Sequence, residues 1–235
     1  MQFVESSLLG VRSARLAFES PTSPVRVTLF PMVHVGQSEF YDATYADAQT
    51  HDVVFLEGVR SPITTRITRS YRWLVGSRAM IGLIVQPRFP VTETGARIVQ
   101  ADLTTDEFEA GWRKVAFWIR AAFYVLAPII GLQRRWLYTQ KMLAKNMNCD
   151  DQPTLAELVA LSPESGALTQ AILHSRDDRL IECLRAELDA SPPKPLSLAI
   201  IYGAAHMRAV VRELTTERDF AVSSADWRFI ITSDY

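Results

Sequence analysis

The chain has 235 residues, of which 48% are apolar, so it can bury a sizeable hydrophobic core and is not intrinsically disordered. Its formal net charge of −1 provides no overall positive charge for binding nucleic acid. Two cysteines, Cys149 and Cys183, are too few for a disulfide framework or a zinc-finger ligand set, so we expect reduced thiols. The N-terminal segment lacks the apolar core of a signal peptide, which predicts a cytoplasmic protein.

The first predicted elements are a β-hairpin and a β-α-β unit. Residues 13–19 and 25–29 have the pattern of two strands joined by a turn rich in serine and proline. A helix is predicted from Ser38, as its N-cap, to about residue 50, and a strand at 53–56 follows. The right-handed crossover of such a unit makes its two strands parallel.

The middle of the chain is basic, whereas both flanking parts are acidic. Residues 58–149 carry fourteen Lys or Arg against five acidic residues. We predict a helix at 64–86, a short strand at 96–101 and a helix that begins at Thr104 or Thr105 and reaches residue 109. The first of these helices carries four arginines near one face, which form a solvated surface or bind an anionic partner: Arg66, Arg69, Arg72 and Arg78.

Residues 110–148 contain no acidic residue. Their apolar run at 115–131 is shorter than the roughly 20 residues that a membrane span needs. We therefore expect a buried or partner-facing helix pair, with association to a membrane surface as the alternative. Together, residues 62–148 are predicted to form a basic, apolar helical insertion that serves as a lid over the site or as a dimer contact.

The last third of the chain is predicted to return to the sheet. A proline-rich linker stops a long amphipathic helix and leads into the strand before His206. The predicted elements here are helices at 154–161, 166–190 and 207–214, and an antiparallel strand pair at 220–223 and 227–232.

Three side chains that carry useful chemistry come directly after predicted strands. His34 follows the apolar run 26–33, Glu57 follows 53–56, and His206 closes the run that begins at residue 198. Strand ends in an open α/β sheet are where such folds build their sites, so we expect these three groups to meet in one pocket. Asp102 also follows a strand, but a role at the start of the next helix is favoured for it.

Four short motifs follow one another along the chain: Pro31-Met-Val-His34, Phe55-Leu-Glu57-Gly58, Ser175-Arg176-Asp177-Asp178 and Gly203-Ala-Ala-His206. Their order resembles the TraB/Tiki superfamily, and specifically the branch of TraB and the pheromone-shutdown proteins. The resemblance covers residues from about 25 to 214. It implies that the family's first histidine falls on His34, its strand-end glutamate on Glu57, its helix arginine on Arg176 and its second histidine on His206. In one departure, Pro31 stands where the family usually has glycine.

These residue types suit hydrolysis, which needs an activated water, a base and a group that stabilises an oxyanion. His34, His206 and Glu57 can together hold a divalent metal such as manganese, cobalt or zinc, which lowers the pKa of its bound water. Alternatively, Glu57 is the base and only the histidines bind metal. Arg176 is permanently cationic and suits a substrate carboxylate or a developing oxyanion. Because Tiki-type members are metal-dependent proteases, the resemblance implies the same class.

We therefore predict one α/β domain over residues 1–235, with a mixed central sheet flanked by helices, that acts as a metal-dependent hydrolase on peptide or ester bonds. A second hypothesis is a non-catalytic protein that sequesters a peptide or a haem or metal ligand. A third is a module that functions through the basic middle of the chain, residues 58–149, by a peripheral membrane contact or by forming a homodimer.

Overall fold

The computed structural model describes residues 1–59, 61–91, 95–145, 147–150, 173–190 and 195–232. In this part of the chain, eight strands form one sheet and a two-stranded ladder lies apart from it. The strands are β1 (Gln2–Ser7), β2 (Gly10–Ser20), β3 (Ser23–Met32), β4 (Val35–Gly36), β5 (Val53–Leu56), β6 (Ile84–Val85), β7 (Arg97–Gln100), β8 (Cys149–Asp150), β9 (Leu196–Gly203) and β10 (Ala221–Thr232). The helices are α1 (Ser38–Ala48), α2 (Pro62–Val75), α3 (Thr105–Lys114), α4 (Phe117–Leu137), α5 (Gln140–Lys145), α6 (Ser175–Asp189) and α7 (Met207–Arg212).

The main sheet is mixed and is flanked by helices, which confirms the predicted fold class. Its order is β7-β5-β9-β3-β2-β1-β8, with β10 paired to β2, while β4 and β6 form the small ladder. The four strands β7, β5, β9 and β3 are parallel to one another, and the remaining pairings are antiparallel. The predicted hairpin is β2-β3, and the predicted parallel relation of β3 and β5 holds, with β9 lying between them.

The core lies along the parallel strands. All four residues of β5 are buried, as are five consecutive residues of β9, because both faces of these strands are covered. Pro31 lies within β3, where the chain stays extended and pairs in parallel register with Tyr202. Its carbonyl oxygen accepts a hydrogen bond of 2.7 Å from the Ser13 hydroxyl. The proline therefore fits the strand, and the turn toward His34 begins only after Met32.

The helix predicted at 64–86 is shorter than expected. It begins after the Ser61 N-cap, whose hydroxyl forms a capping box with Thr64, and ends at Val75 with Gly76 as its C-cap. A 3₁₀ turn at Arg78–Met80 and strand β6 replace its predicted second half. The arginines Arg69, Arg72 and Arg78 are exposed, whereas the side chain of Arg66 lies outside the described residues.

Three other boundaries differ from the sequence predictions. Gln37, not Ser38, is the N-cap of α1. The predicted strand pair at 220–223 and 227–232 is a single strand, β10, because it pairs with β2 along its length and absorbs two register irregularities. The predicted helix at 154–161 and the first part of that at 166–190 lie outside the described residues.

The predicted insertion at 62–148 is not helical throughout, because β7 within it belongs to the main sheet. Nor is α4 a buried helix, since most of its large apolar side chains are exposed. Among the described residues, no single helix is both long and apolar enough to cross a membrane. Helices α3 and α4 meet that test only as a pair, and they are bent by 110° relative to each other.

Candidate functional site

The candidate site lies at the carboxyl ends of the four parallel strands. In sheet order these ends lead to Asp102 after β7, Glu57 after β5, His206 after β9 and His34 after β3. Neighbouring strands are about 4.8 Å apart, so the strands that lead to the outer two residues are separated by roughly 14 Å along this edge. The central pair, Glu57 and His206, therefore follow adjacent strands, whereas His34 lies at one end of the row.

Arg176, in the first turn of α6, joins two of these strand ends. Its guanidinium donates from Nε to Asp102 Oδ1 at 2.9 Å and from Nη2 to Asp102 Oδ2 at 2.7 Å. The same Nη2 donates to Glu57 Oε1 at 2.6 Å. Burial disfavours the charge on Arg176, but the two carboxylates outweigh this effect and raise the pKa of the guanidinium. One permanent cation is therefore held between two anions.

The Glu57 carboxylate is fully engaged. Its second oxygen, Oε2, accepts a 2.5 Å hydrogen bond from the backbone N–H of Gly203. A Cβ at position 203 would stand 3.1 Å from that oxygen and 3.4 Å from the His206 ring, so any larger residue would force the Glu57 carboxylate or the His206 ring to shift. Burial raises the pKa of Glu57, but Arg176, His206 and His34 together outweigh burial and lower this pKa from 4.5 to about 2. Glu57 is therefore ionised at neutral pH.

Asp102 anchors the Arg176 guanidinium, and the sequence analysis did not predict this role for Asp102. Its side chain is almost fully buried and accepts backbone hydrogen bonds from Gly58 at 2.9 Å and Leu103 at 2.8 Å. Gly58 has a φ of 155°, a conformation that favours glycine. The role predicted for Asp102, starting the next helix, belongs instead to Thr104, which is the N-cap of α3. The position of Asp102 directly after a predicted strand was the sequence feature that could have identified it as a site residue.

His206 is held by a second carboxylate from α6. Its Nδ1 lies 2.6 Å from Asp177 Oδ1, and its ring packs edge-on against the buried Tyr202 at a centroid distance of 4.9 Å. Assigning the proton to Nδ1, as a donor to the carboxylate, leaves Nε2 as the basic nitrogen. Burial, with the charge of Asp102, raises the pKa of Tyr202, so the tyrosine is neutral. Sequence reasoning did not assign Asp177 or Tyr202 to the site.

His34 lies apart from this cluster. Its side chain is exposed, and its ring is 4.9 Å from the ring of Tyr71 on α2, measured between centroids. Its charge contributes to the low pKa of Glu57, after those of Arg176 and His206. Among the predicted site residues, the structure thus joins Glu57 and Arg176 directly and places His206 beside them, while His34 lies outside this group.

The predicted metal ligands do not fit a metal in this arrangement. Both oxygens of Glu57 are already hydrogen-bonded, and one of them faces the Arg176 cation, which would repel a divalent ion. Among the described residues, no group of three His, Cys, Asp or Glu side chains is placed to hold a metal ion. Ligation by His34, His206 and Glu57 stays a prediction, and it requires the Glu57–Arg176 ion pair to open.

Comparisons with family models, with curated proteins and with solved structures found no match to this chain. The resemblance to the TraB/Tiki superfamily therefore stays a prediction from the four motifs. The geometry described above stands independently of that resemblance.

Proposed function

We propose that this protein is a hydrolase of peptide or ester bonds that uses His206 as its general base. The observation that carries the proposal is the 2.6 Å contact between Asp177 and His206 Nδ1, one residue along α6 from the clamped Arg176. A carboxylate in this position fixes the tautomer and orientation of an imidazole, and it stabilises the imidazolium that forms when the ring accepts a proton.

In the proposed reaction, His206 Nε2 accepts a proton from water, and the water oxygen attacks the carbonyl carbon of the substrate. The same nitrogen then returns the proton to the departing amine or alcohol. The edge-on ring of Tyr202 and the Asp177 carboxylate keep the imidazole in a single orientation during both transfers. General acid–base catalysis of this kind contributes about 10²–10⁴-fold to a rate.

The Arg176 guanidinium supports the developing negative charge. Its described contacts use Nε and Nη2, so we assign Nη1 to the substrate oxyanion. Asp102 and Glu57 fix the position of the cation before substrate arrives, and a preorganised charge costs no reorganisation during the reaction. In this proposal, Glu57 is a positioning residue for Arg176 and not the base.

The experiment uses the full chain purified without chelator. Its metal content is measured, and so is its hydrolysis of nitrophenyl esters and of a peptide library. The variants are His206→Ala, Asp177→Asn and Glu57→Ala, and unfolding curves show whether each remains folded. Hydrolysis that falls at least about 100-fold in His206→Ala and Asp177→Asn, and that is insensitive to chelator, supports the proposal. Stoichiometric manganese, cobalt or zinc that is lost in His206→Ala and Glu57→Ala overturns the metal-free assignment and supports the metal-dependent hydrolase.

A binding protein is the second candidate function, because the charged groups of the site satisfy one another. Arg176 has two carboxylate partners, and Asp177 is paired with His206. Such a closed network suits a rigid binding surface as well as a catalytic one. Tight binding of peptide or haem without turnover, unaffected by Glu57→Gln, would favour this candidate over the hydrolase.

A further inference from the structure

Helix α4 carries an apolar stripe that faces solvent. Trp118 and Trp136 are 62% and 78% exposed, and the side chains between them on the same face are exposed as well. The stripe, as we define it, consists of Trp118, Val125, Ile129, Leu132 and Trp136. Its spacings of seven, four, three and four residues place all five side chains on one face of an α-helix.

Residues on either side of the stripe make the main described contacts of α4 with the rest of the protein, and on one side Arg135 donates a hydrogen bond to the Trp73 carbonyl oxygen of α2. Ile119 and Phe123 pack in a small apolar cluster with Trp112 of α3 and Ile63 of α2. The Trp112 and Phe123 rings meet edge to face at a centroid distance of 5.5 Å. Most of the stripe is therefore free of the contacts that attach α4 to the described part of the fold, and an exposed apolar stripe of this kind marks an interaction surface.

The segment that carries the stripe has positive charges and no negative ones. Residues 110–148 contain seven Lys or Arg and no acidic residue. Exposed cations lie at both ends of α4, with Lys114 before it and Lys141 after it. A second copy of the chain would bring these cations against their own kind, which costs free energy. An anionic surface would instead neutralise them.

We propose that α4 lies flat on an anionic lipid bilayer, with the stripe inserted among the headgroups. The two tryptophans are 18 positions apart, or about 27 Å along the axis, so they anchor both ends of the helix at the same depth. A helix with aromatic and aliphatic residues on one face, flanked by cations, is the form that binds in the plane of a membrane. Beside the stripe, a cavity of about 430 Å³ offers apolar space for part of an acyl chain, and it is lined by Trp73, Pro128, Ile129, Leu132 and Arg135.

The test is flotation of the full chain with vesicles of phosphatidylcholine, with or without phosphatidylglycerol. We expect binding to the anionic vesicles only, and a loss of binding at high salt. Replacing Lys114 and Lys141 together by Gln should weaken binding about 30-fold, since each cation near the surface contributes about a factor of five. The matched control, Arg26→Gln with Arg212→Gln, makes the same charge change at exposed positions elsewhere and should bind as the wild type does.

The apolar contribution is tested by Trp118→Ser with Trp136→Ser, which should weaken binding at least about tenfold without loss of folding, because both side chains are exposed. Trp227→Ser, at a partly exposed tryptophan of β10, is the control. Equal binding to neutral vesicles, or unchanged binding in the double tryptophan variant, would overturn the proposal. So would a dimer in solution that the double tryptophan variant converts to monomer, because the stripe would then be an interface between copies.

Discussion

Replacing Glu57 by Gln tests the electrostatics of the site without requiring a substrate. Glutamine keeps the size of the side chain and can still accept a hydrogen bond from Arg176, but it removes the negative charge. Its amide group also meets the Gly203 N–H, donor against donor, where the carboxylate accepts a 2.5 Å hydrogen bond. That second effect is independent of pH, so the pH dependence isolates the contribution of the charge.

The size of the charge contribution follows from the pKa of Glu57, which falls from 4.5 to about 2 on folding. Because the folded-state pKa is the lower one, the stabilisation is fully present above pH 4.5 and is lost as the pH falls through about 2. The linkage gives about 3 kcal/mol at neutral pH and about 1 kcal/mol at pH 3. The difference in the free energy of unfolding between wild type and Glu57→Gln should therefore shrink by about 2 kcal/mol over this range.

The assay is urea unfolding of both proteins at pH 7 and at pH 3, followed by circular dichroism. Glu19→Gln is the matched control, because Glu19 forms an ion pair with Arg26 that is exposed on both sides. Such pairs contribute at most about 1 kcal/mol, so the control should be close to wild type at both pH values. A stability difference between wild type and Glu57→Gln that is the same at pH 7 and pH 3 would refute the assignment of Glu57 as a paired, ionised carboxylate.

Three further substitutions test single contacts. Asp177→Asn should lower the rate of hydrolysis about 10²–10⁴-fold with the fold intact, while Asp178→Asn at the exposed neighbouring position should leave it unchanged. Equal losses in initial-rate assays would contradict the proposed role of the Asp177–His206 pair. Gly203→Ala should lower the free energy of unfolding, measured by urea titration, by about 1–3 kcal/mol. Gly95→Ala should not lower it, because a Cβ at position 95 meets nothing within 4 Å. Similar values for the two variants would contradict the close approach of Glu57 and His206 to Gly203. Thr104→Ala should lower the free energy of unfolding by about 1 kcal/mol, because it removes the N-cap of α3. An unchanged melting temperature in thermal denaturation would contradict the role of Thr104 as a cap.

The sequence predicted the parallel part of the sheet well, because its strands are short apolar runs that end in distinctive polar residues. It did not predict that β10 is one strand. The polar segment at residues 224–226 resembles a turn, and only pairing with β2 keeps it extended. The overlong helix at 64–86 has a similar cause: its apolar pattern continues past Gly76, but the chain turns there to form β6.

Within the site, the sequence predicted which strand ends carry chemistry but not how their charges pair. The partners of Arg176 lie 74 and 119 positions away along the chain, a separation over which sequence patterns give no register. Asp102 therefore looked like a helix-start residue, and Asp177 like a neighbour of Arg176 on a solvated helix. The sequence shows both as acidic residues near predicted elements. Only the packing of α6 on the sheet edge shows that Asp102 pairs with Arg176 and that Asp177 pairs with His206.

Arg176 and Asp177 are consecutive residues in the first turn of α6, yet they bind different strand ends. One reaches Asp102 and Glu57, and the other reaches His206. Both contacts depend on the position of the same backbone turn, so a displacement of this turn would weaken them together. The docking of one helical turn therefore sets the position of the Arg176 guanidinium and of the His206 ring at the same time, which couples the two halves of the site.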